Sequence, residues 1–501
     1  MQSPLFPLVP NSPSDFKWRF NETGGVTITR FLKTDAFYAV VPAKIAGRPV
    51  TKINSPTFRY CRALKLLAFV GDAPTFEEEA FVYCDALRFV ASSDGQVEIP
   101  DVDARRLTFD ELRAQTLDGV LFSADGKTIY ALLEPKLKYV VPDGVVAIGE
   151  YAFYHSKTLR AITFAASVCE IGEYAFANGA LRSVAFKENE STSDDETTVP
   201  QEKTIGDYAF HQCDALRSIA FPQGTKRIGR SAFSFCETLE SLAFPRELSE
   251  IARDAFFSCS ALKTVEFPKG LETIGETAFY RCAELETLAF PKGLKTIDRL
   301  AFYGCVALRS IAFDGSTEVG EYAFGRCYAL HLATFAAETP TFDDETFDES
   351  YALRFVASPD GQAEIPGVAC RRLTLDEPRA QTVDGVLFSA DGKTLLTCVD
   401  AKTEYVVPPR VEKIGKKAFF GRRTLRSITF PEGLKTVEED AFYHCFALHS
   451  VALPAGLETL GHCAFGDAEP NRLGPNFTIY GVRGSVAERE AEANGFRFIP
   501  R

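Results

Sequence analysis

With 501 residues, 46% of them hydrophobic, the chain has ample material for a core, and a globular chain of this length normally splits into several domains. A net charge of -13 and a pI near 5.2 argue against a nucleic-acid backbone or an anionic membrane as main partner, since both demand clustered Lys and Arg. No stretch reaches the ~18 consecutive apolar residues of a membrane helix.

The first seven residues have no basic segment and no apolar run, so the chain carries no secretory signal. Either the protein stays inside the cell or these residues begin a trimmed form. Residues 1–54 are predicted as an N-terminal β cap. Phe16, Trp18 and Phe20 alternate with polar residues, Gly24-Gly25 turns, and Val26, Ile28 and Phe31 answer them as a hairpin. Trp18, the one tryptophan, reads as cap core.

Repeats begin at Phe58 and Phe81 and give a repeat segment over 55–87. An island without their signature follows over 88–139, and it returns over 354–405. Residues 87–96 reappear as 353–362 and residues 118–128 as 384–394, at an offset of 266 (354 − 88, 385 − 119). A large segment has therefore been duplicated. Each Asp-Gly pair between apolar residues predicts a hairpin turn, and the two hairpins lengthen the sheet or form an exposed shelf.

Repeats resume over 140–353, with an acidic outer loop at 187–203 that is too polar to pack. This loop lacks the Gly-punctuated order that wraps a calcium ion. A third repeat segment spans 406–470. In the C-terminal cap, 471–501, Ser485 and Glu488 have capping-box spacing ahead of a helix, Asn494-Gly495 stops it, and residues 496–500 form a last strand.

The repeat is plainest over 204–327, where a 23-residue unit places Ala-Phe at 209, 232, 255, 278 and 301, and one residue early at 323. Three residues after each Phe stands Cys213, Cys236, Cys259, Cys282, Cys305 or Cys327. Self-similarity at such a period means a solenoid. Within one unit, Val265 and Phe267 alternate with Thr264 and Glu266 as a half-buried strand, which Pro268 ends. Gly270 turns the chain, and Leu271, Ile274, Ala278 and Phe279 suit a single helical or 3₁₀-like turn. No unit buries its own apolar side, but stacked neighbours do so continuously.

Thirteen cysteines is an odd number, and Cys61, Cys84 and Cys445 share the column of the six above. The expectation is a stack of buried thiols, since a ladder cannot pair every rung. With no C-x-x-C and six His, a metal site is not expected.

Leu262, Val265 and Phe267 match the L-x-x-L-x-L strand of leucine-rich repeats. The trailing Ile-Gly-x-x-Ala-Phe-x-x-Cys resembles the BspA-like class of bacterial surface proteins, apart from Gly270 where the commoner repeat has Asn or Cys. The resemblance implies an α/β repeat solenoid, a right-handed coil with short parallel strands on its concave side. It also implies a non-catalytic surface for adhesion to a protein or glycan.

Two candidate surfaces follow. The column after the strand leucine reads Arg217, Glu240, Lys263, Glu286, Arg309 and His331, beside a column of Ser and Thr, and forms either a solubilised sheet face or a polar ligand groove. Phe257, Tyr280 and Tyr303 follow the Ala-Phe pair in successive repeats and form an aromatic patch or an edge cover. Nucleophile, zinc-hydrolase, Walker and dinucleotide motifs are absent, so neither an enzyme nor a cofactor is expected. The alternative to a surface adhesin is an intracellular interaction scaffold, which the absent signal and the many cysteines favour.

Overall fold

A column of phenylalanine rings runs through each stack of repeats. Phe256, Phe279, Phe302, Phe324 and Phe347 lie face to face at centroid spacings of 5.1, 5.1, 5.4 and 5.6 Å. Phe153, Phe176, Phe210 and Phe233 repeat the pattern at 4.9, 5.1 and 5.0 Å. These spacings match the separation of neighbouring strands, so each ring fills the space above the same ring one repeat earlier. The computed structural model describes residues 9–187, 202–343, 345–365, 367–376, 382–398, 402–466 and 477–501. Most of the acidic segment, residues 188–201, lies outside them.

The chain divides into two compact units, Met1–Leu239 and Glu240–Arg501. In each unit the repeats build two parallel ladders, most of them contributing a strand to each, and the repeat of Thr264 joins one by isolated bridges. In the second unit Thr287–Phe290, Ser310–Phe313, Leu332–Phe335, Phe355–Ser358 and Arg371–Thr374 form one ladder. Glu250–Ile251, Thr273–Ile274, Thr296–Ile297, Glu318–Val319 and Thr341–Phe342 form the other. Alternation decides which face is buried: Ile311 and Phe313 point into the core while Ser310 and Ala312 point outward.

The turn from Gly275 to Cys282 keeps the three-residue bonds of the 3₁₀-like alternative but forms no helix. Its amides alternate between partners: Ala278 donates to Gly275 and Cys282 to Phe279, whereas Phe279 donates to Ala301 and Arg281 to Tyr303 of the next repeat. A helix would use those amides internally. Here half of them tie neighbouring repeats together, and Thr277 and Arg281 adopt left-handed φ values of 55° and 57° to point them outward. The fold is thus a β-solenoid with few helices rather than an α/β one; the described α-helices are Phe109–Gln115 and Val486–Ala493.

The cysteine column has a directional role. Cys305 Sγ donates to the Phe279 carbonyl at 3.4 Å and Cys327 Sγ to Phe302 at 3.4 Å, each the carbonyl of the preceding repeat. Where the column switches to serine, Ser350 Oγ donates to Phe324 at 2.6 Å in the same way. All thirteen cysteines are thiols, ten of them buried.

At the N-terminus, Phe16–Phe20 and Val26–Phe31 pair antiparallel, and Trp18 packs against the core from a partly buried position. At the other end Val486–Ala493 forms with Ser485 as N-cap, but no capping box closes. Glu488 accepts from Gly484 N at 2.6 Å, and the buried Ser485 hydroxyl has no hydrogen-bond partner. A closed box stands where none was expected, between Thr108 and Glu111.

Candidate functional site

The duplicated islands build two joints, and the joints decide which surfaces remain accessible. In the first unit Val120–Phe122 pairs antiparallel with Thr116–Leu117 through the Asp118-Gly119 turn, and with Thr128–Leu132. Thr128–Leu132 then pairs parallel with Ala147–Ile148 and so starts the next array. Asp94-Gly95 is no hairpin, because the strands on either side of it, Phe89–Ser92 and Arg105–Thr108, are parallel.

One face of the hairpin covers the sheet before it. Leu121 and Ala131 pack with Leu66, Ala68, Phe89 and Ala91, so every residue of Leu66–Phe69 and Phe89–Ser92 is buried. Leu387 covers Phe355 and Ala357 likewise in the second unit. Of the two alternatives read from the sequence, the hairpin takes the first: it lengthens the sheet, and this face of it is no exposed shelf. The apolar residue at the first outward strand position, Leu66 where a regular strand has Ser310, was the available signal.

Beyond each hairpin, the turn edge of the following array lies on the strand-start edge of the preceding one. In the first unit Tyr154 packs with Ala86 and Ala177, and the Arg88 guanidinium stands 4.3 Å from the Tyr151 ring centre. In the second unit Lys417 Nζ donates to the Tyr351 carbonyl at 2.9 Å, and Arg422, Phe420 and His331 are all buried.

This docking corrects the charged column at one end. Arg217, Glu240 and Lys263 are exposed and Glu286 is half-buried, but Arg309 and His331 are 7% and 1% exposed. Arg309 pairs with Glu286 at 2.9 Å, so the expected neutralisation between repeats occurs there. His331 Nε2 lies 3.2 Å from the Lys417 carbonyl, and its Nδ1 lies 3.2 Å from Arg422. Burial, reinforced by Arg422 and Arg309, holds the His331 imidazole well below its usual pKa, so it is neutral. Only a cleft of about 100 Å³ remains among Glu286, Arg309, Ala329 and Arg422.

The aromatic candidates come together. Phe257, Tyr280 and Tyr303 stack at 4.8 and 5.3 Å, nearly parallel and half-buried, with Arg281 and Arg326 5.4 and 5.6 Å from the Tyr280 and Tyr303 ring centres. In the strand ladder, Ser241, Thr264, Thr287 and Ser310 stand in register across four repeats and form a wall of small hydroxyls. Among the described residues no group of three His, Cys, Asp or Glu could hold a metal ion, and no helix is long and apolar enough to cross a membrane.

A sequence profile described as BspA type leucine rich repeat region (6 copies) matches residues 31–101, 133–197, 203–331, 249–372 and 397–471. No curated protein matches the chain. Among solved structures, a leucine-rich repeat protein of Bacteroides ovatus is similar at 16% identity over 97% of this chain and 98% of that one, with a TM-score of 0.34. A leucine rich cell surface protein of Faecalibacterium prausnitzii is similar at 20% identity over 77% and 93%, with a TM-score of 0.31. A leucine-rich repeat protein of Eubacterium ventriosum is similar at 20% identity over 66% and 82%, with a TM-score of 0.29.

Proposed function

We propose, from the premise that this chain belongs to the BspA-type leucine-rich repeat family, that it is a non-enzymatic scaffold which binds a protein partner through its open sheet face in cell-surface adhesion. The observation that carries this reading is the contrast between covered and open strands. Where outward positions are apolar, as at Leu66 and Phe355, the chain's own hairpin covers them. Where they are Ser241, Thr264 and Thr287, they are exposed, small and in register. Such a wall admits close approach of a partner backbone and offers it hydroxyls at one strand spacing.

Glu240, Lys263 and Glu286 border this wall and set the charge a partner meets, and in the other unit Arg217 precedes Ser218 as Lys263 precedes Thr264. A glycan ligand would use the same hydroxyls. The alternative, an intracellular assembly scaffold, is favoured by the thirteen thiols.

The test is surface plasmon resonance against a panel of extracellular-matrix and cell-surface proteins, using wild type and Thr264→Arg/Thr287→Arg. A partner whose affinity falls roughly tenfold or more in the variant supports the reading. A partner bound equally by both removes the sheet face from consideration. Silence across the panel favours the intracellular alternative.

A further inference from the structure

Both joints bring together the same two kinds of edge. The strand-start edge reads Ala-Leu-basic in consecutive repeats: Ala63-Leu64-Lys65 and Ala86-Leu87-Arg88 in the first unit, Ala329-Leu330-His331 and Ala352-Leu353-Arg354 in the second. The turn edge offers an aromatic or apolar residue just after Ala-Phe, Tyr154 in one joint and Phe420 in the other, and docking buries both. Alanine permits the approach: a methyl placed on Gly421 would stand 3.3 Å from the Tyr328 carbonyl and 3.6 Å from Ala329 Cα. A cation meets an aromatic ring in each joint, Arg88 on Tyr151 at 4.3 Å and Lys417 on Tyr351 at 5.6 Å.

Besides these, the first pattern stands singly at Ala261-Leu262-Lys263 and Ala447-Leu448-His449, and once ahead of the second joint's pair at Ala307-Leu308-Arg309. One further pair of consecutive repeats carries it, accessible like the aromatic turn edge that matches it. Ala180-Leu181-Arg182 and Ala215-Leu216-Arg217 repeat the Ala-Leu-basic pattern, with both arginines exposed and both alanines half-exposed. Tyr280 and Tyr303 form the matching turn edge, stacked one repeat apart. Asp348 acts on Tyr303 and Glu345 on Tyr322, and these two exposed carboxylates complement the two arginines in charge. Arg281 and Arg326 on the tyrosine rings are the like charges the contact must clear, and Arg326 already pairs with Glu349 at 2.9 Å.

We propose that these edges dock between two copies of this chain, the Arg182/Arg217 edge of one on the Tyr280/Tyr303 edge of the other. The contact repeats between molecules what each joint does within one. It is heterologous, because each copy offers two different patches, so assembly runs head to tail into rings or open chains. This surface is separate from the sheet face proposed for a foreign partner.

Sedimentation velocity and light scattering across a concentration series test it, with Tyr280→Ser/Tyr303→Ser and Arg182→Glu/Arg217→Glu as the two variants. Circular dichroism establishes that each variant is folded. Wild type is expected to self-associate, and each variant alone to do so roughly tenfold or more weakly. Mixed together, the two variants are expected to form a dimer and nothing larger, because one intact edge remains on each. Wild type that stays monomeric up to its solubility limit overturns the proposal. So does association that survives in both variants, or a mixture that recovers none.

Discussion

Lys65 and His331, 266 positions apart, occupy the same place in the two joints, yet the cation that each joint needs comes from opposite sides. Lys65 Nζ donates to the Leu132 carbonyl at 3.4 Å and stands 4.1 Å from the Phe37 ring centre. In the second joint Cys398 replaces Leu132, and its carbonyl accepts instead from Arg422, which also meets His331 at 3.2 Å. The counterpart of Arg422 in the first joint is Ser156, buried, with a hydroxyl that has no hydrogen-bond partner. The duplicates have exchanged a Lys–Ser pair for a His–Arg pair around one conserved acceptor geometry.

This exchange predicts coupling. At about pH 10, where little of the burial cost of the lysine proton remains, Lys65→His alone should cost about 1–3 kcal/mol by leaving the Leu132 carbonyl buried without a donor. Adding Ser156→Arg should recover much of that loss, and a double-mutant cycle read by chemical denaturation measures the recovery. Strictly additive losses would show that the two positions do not share the acceptor.

Lys65 also predicts a pH dependence. Burial pushes its amine down to about 7 from the ordinary lysine value near 10.5. Above 10.5 the amine is neutral in both folded and unfolded states and nothing is lost. Between 10.5 and 7 the unfolded chain binds the proton first, so stability falls as pH falls, and below 7 the full loss is present. That loss is on the order of 4 kcal/mol. Lys65→Met should be more stable than wild type at pH 7, with the difference shrinking toward pH 10. Amide exchange around residues 131–133 reports it, and a pH-independent difference would contradict the assignment.

The ring and thiol columns separate two contributions to stacking. Phe279→Ala should cost about 3–5 kcal/mol, because a fully buried ring between two identical rings leaves a cavity no neighbour can fill. Cys305→Ser should cost less than about 1.5 kcal/mol, since Ser350 already fills this column and donates to the same kind of carbonyl. Cys305→Leu should be worse than either Ser or Ala, since the column has no room for it. Thermal unfolding of the four variants ranks them.

Thiol reactivity should divide by position. Burial pushes the Cys213 and Cys445 thiols up to about 12, which leaves almost no thiolate at neutral pH. Of the three half-buried thiols, Cys169 and Cys463 should account for the fast maleimide labelling of the native chain, and Cys370 should lag because burial pushes its thiol up to about 11. Unfolding should release the other ten. Rapid modification of the Ala-Phe-x-x-Cys column in the native state would argue against the buried ladder.

Much of the repeat is legible in the sequence. The alternation of Ile311 and Phe313 with Ser310 and Ala312 assigns core and surface along a strand, and the recurrence of Phe and Cys at one interval implies the two columns. The Asp118-Gly119 turn was legible too. The left-handed turn residues were not, because Thr277 and Arg281 carry no glycine or asparagine signal. Their conformation is imposed by amides that reach the next repeat. Arg309 and His331 read as surface residues because their own repeat would leave them exposed. Phe420 and Arg422, about a hundred residues later, bury them.

The sequence by itself determined that the chain stacks, what each repeat turns inward, and that one large segment occurs twice. Periodicity suffices for this because each repeat contacts its copy in the same way, and one pattern therefore specifies every such interface. Only the tertiary structure decided which outer faces are covered and which are open. That choice rests on edges brought together from distant points of the chain, where one alanine, one cation and one carbonyl must meet in space, and no local period encodes such a meeting.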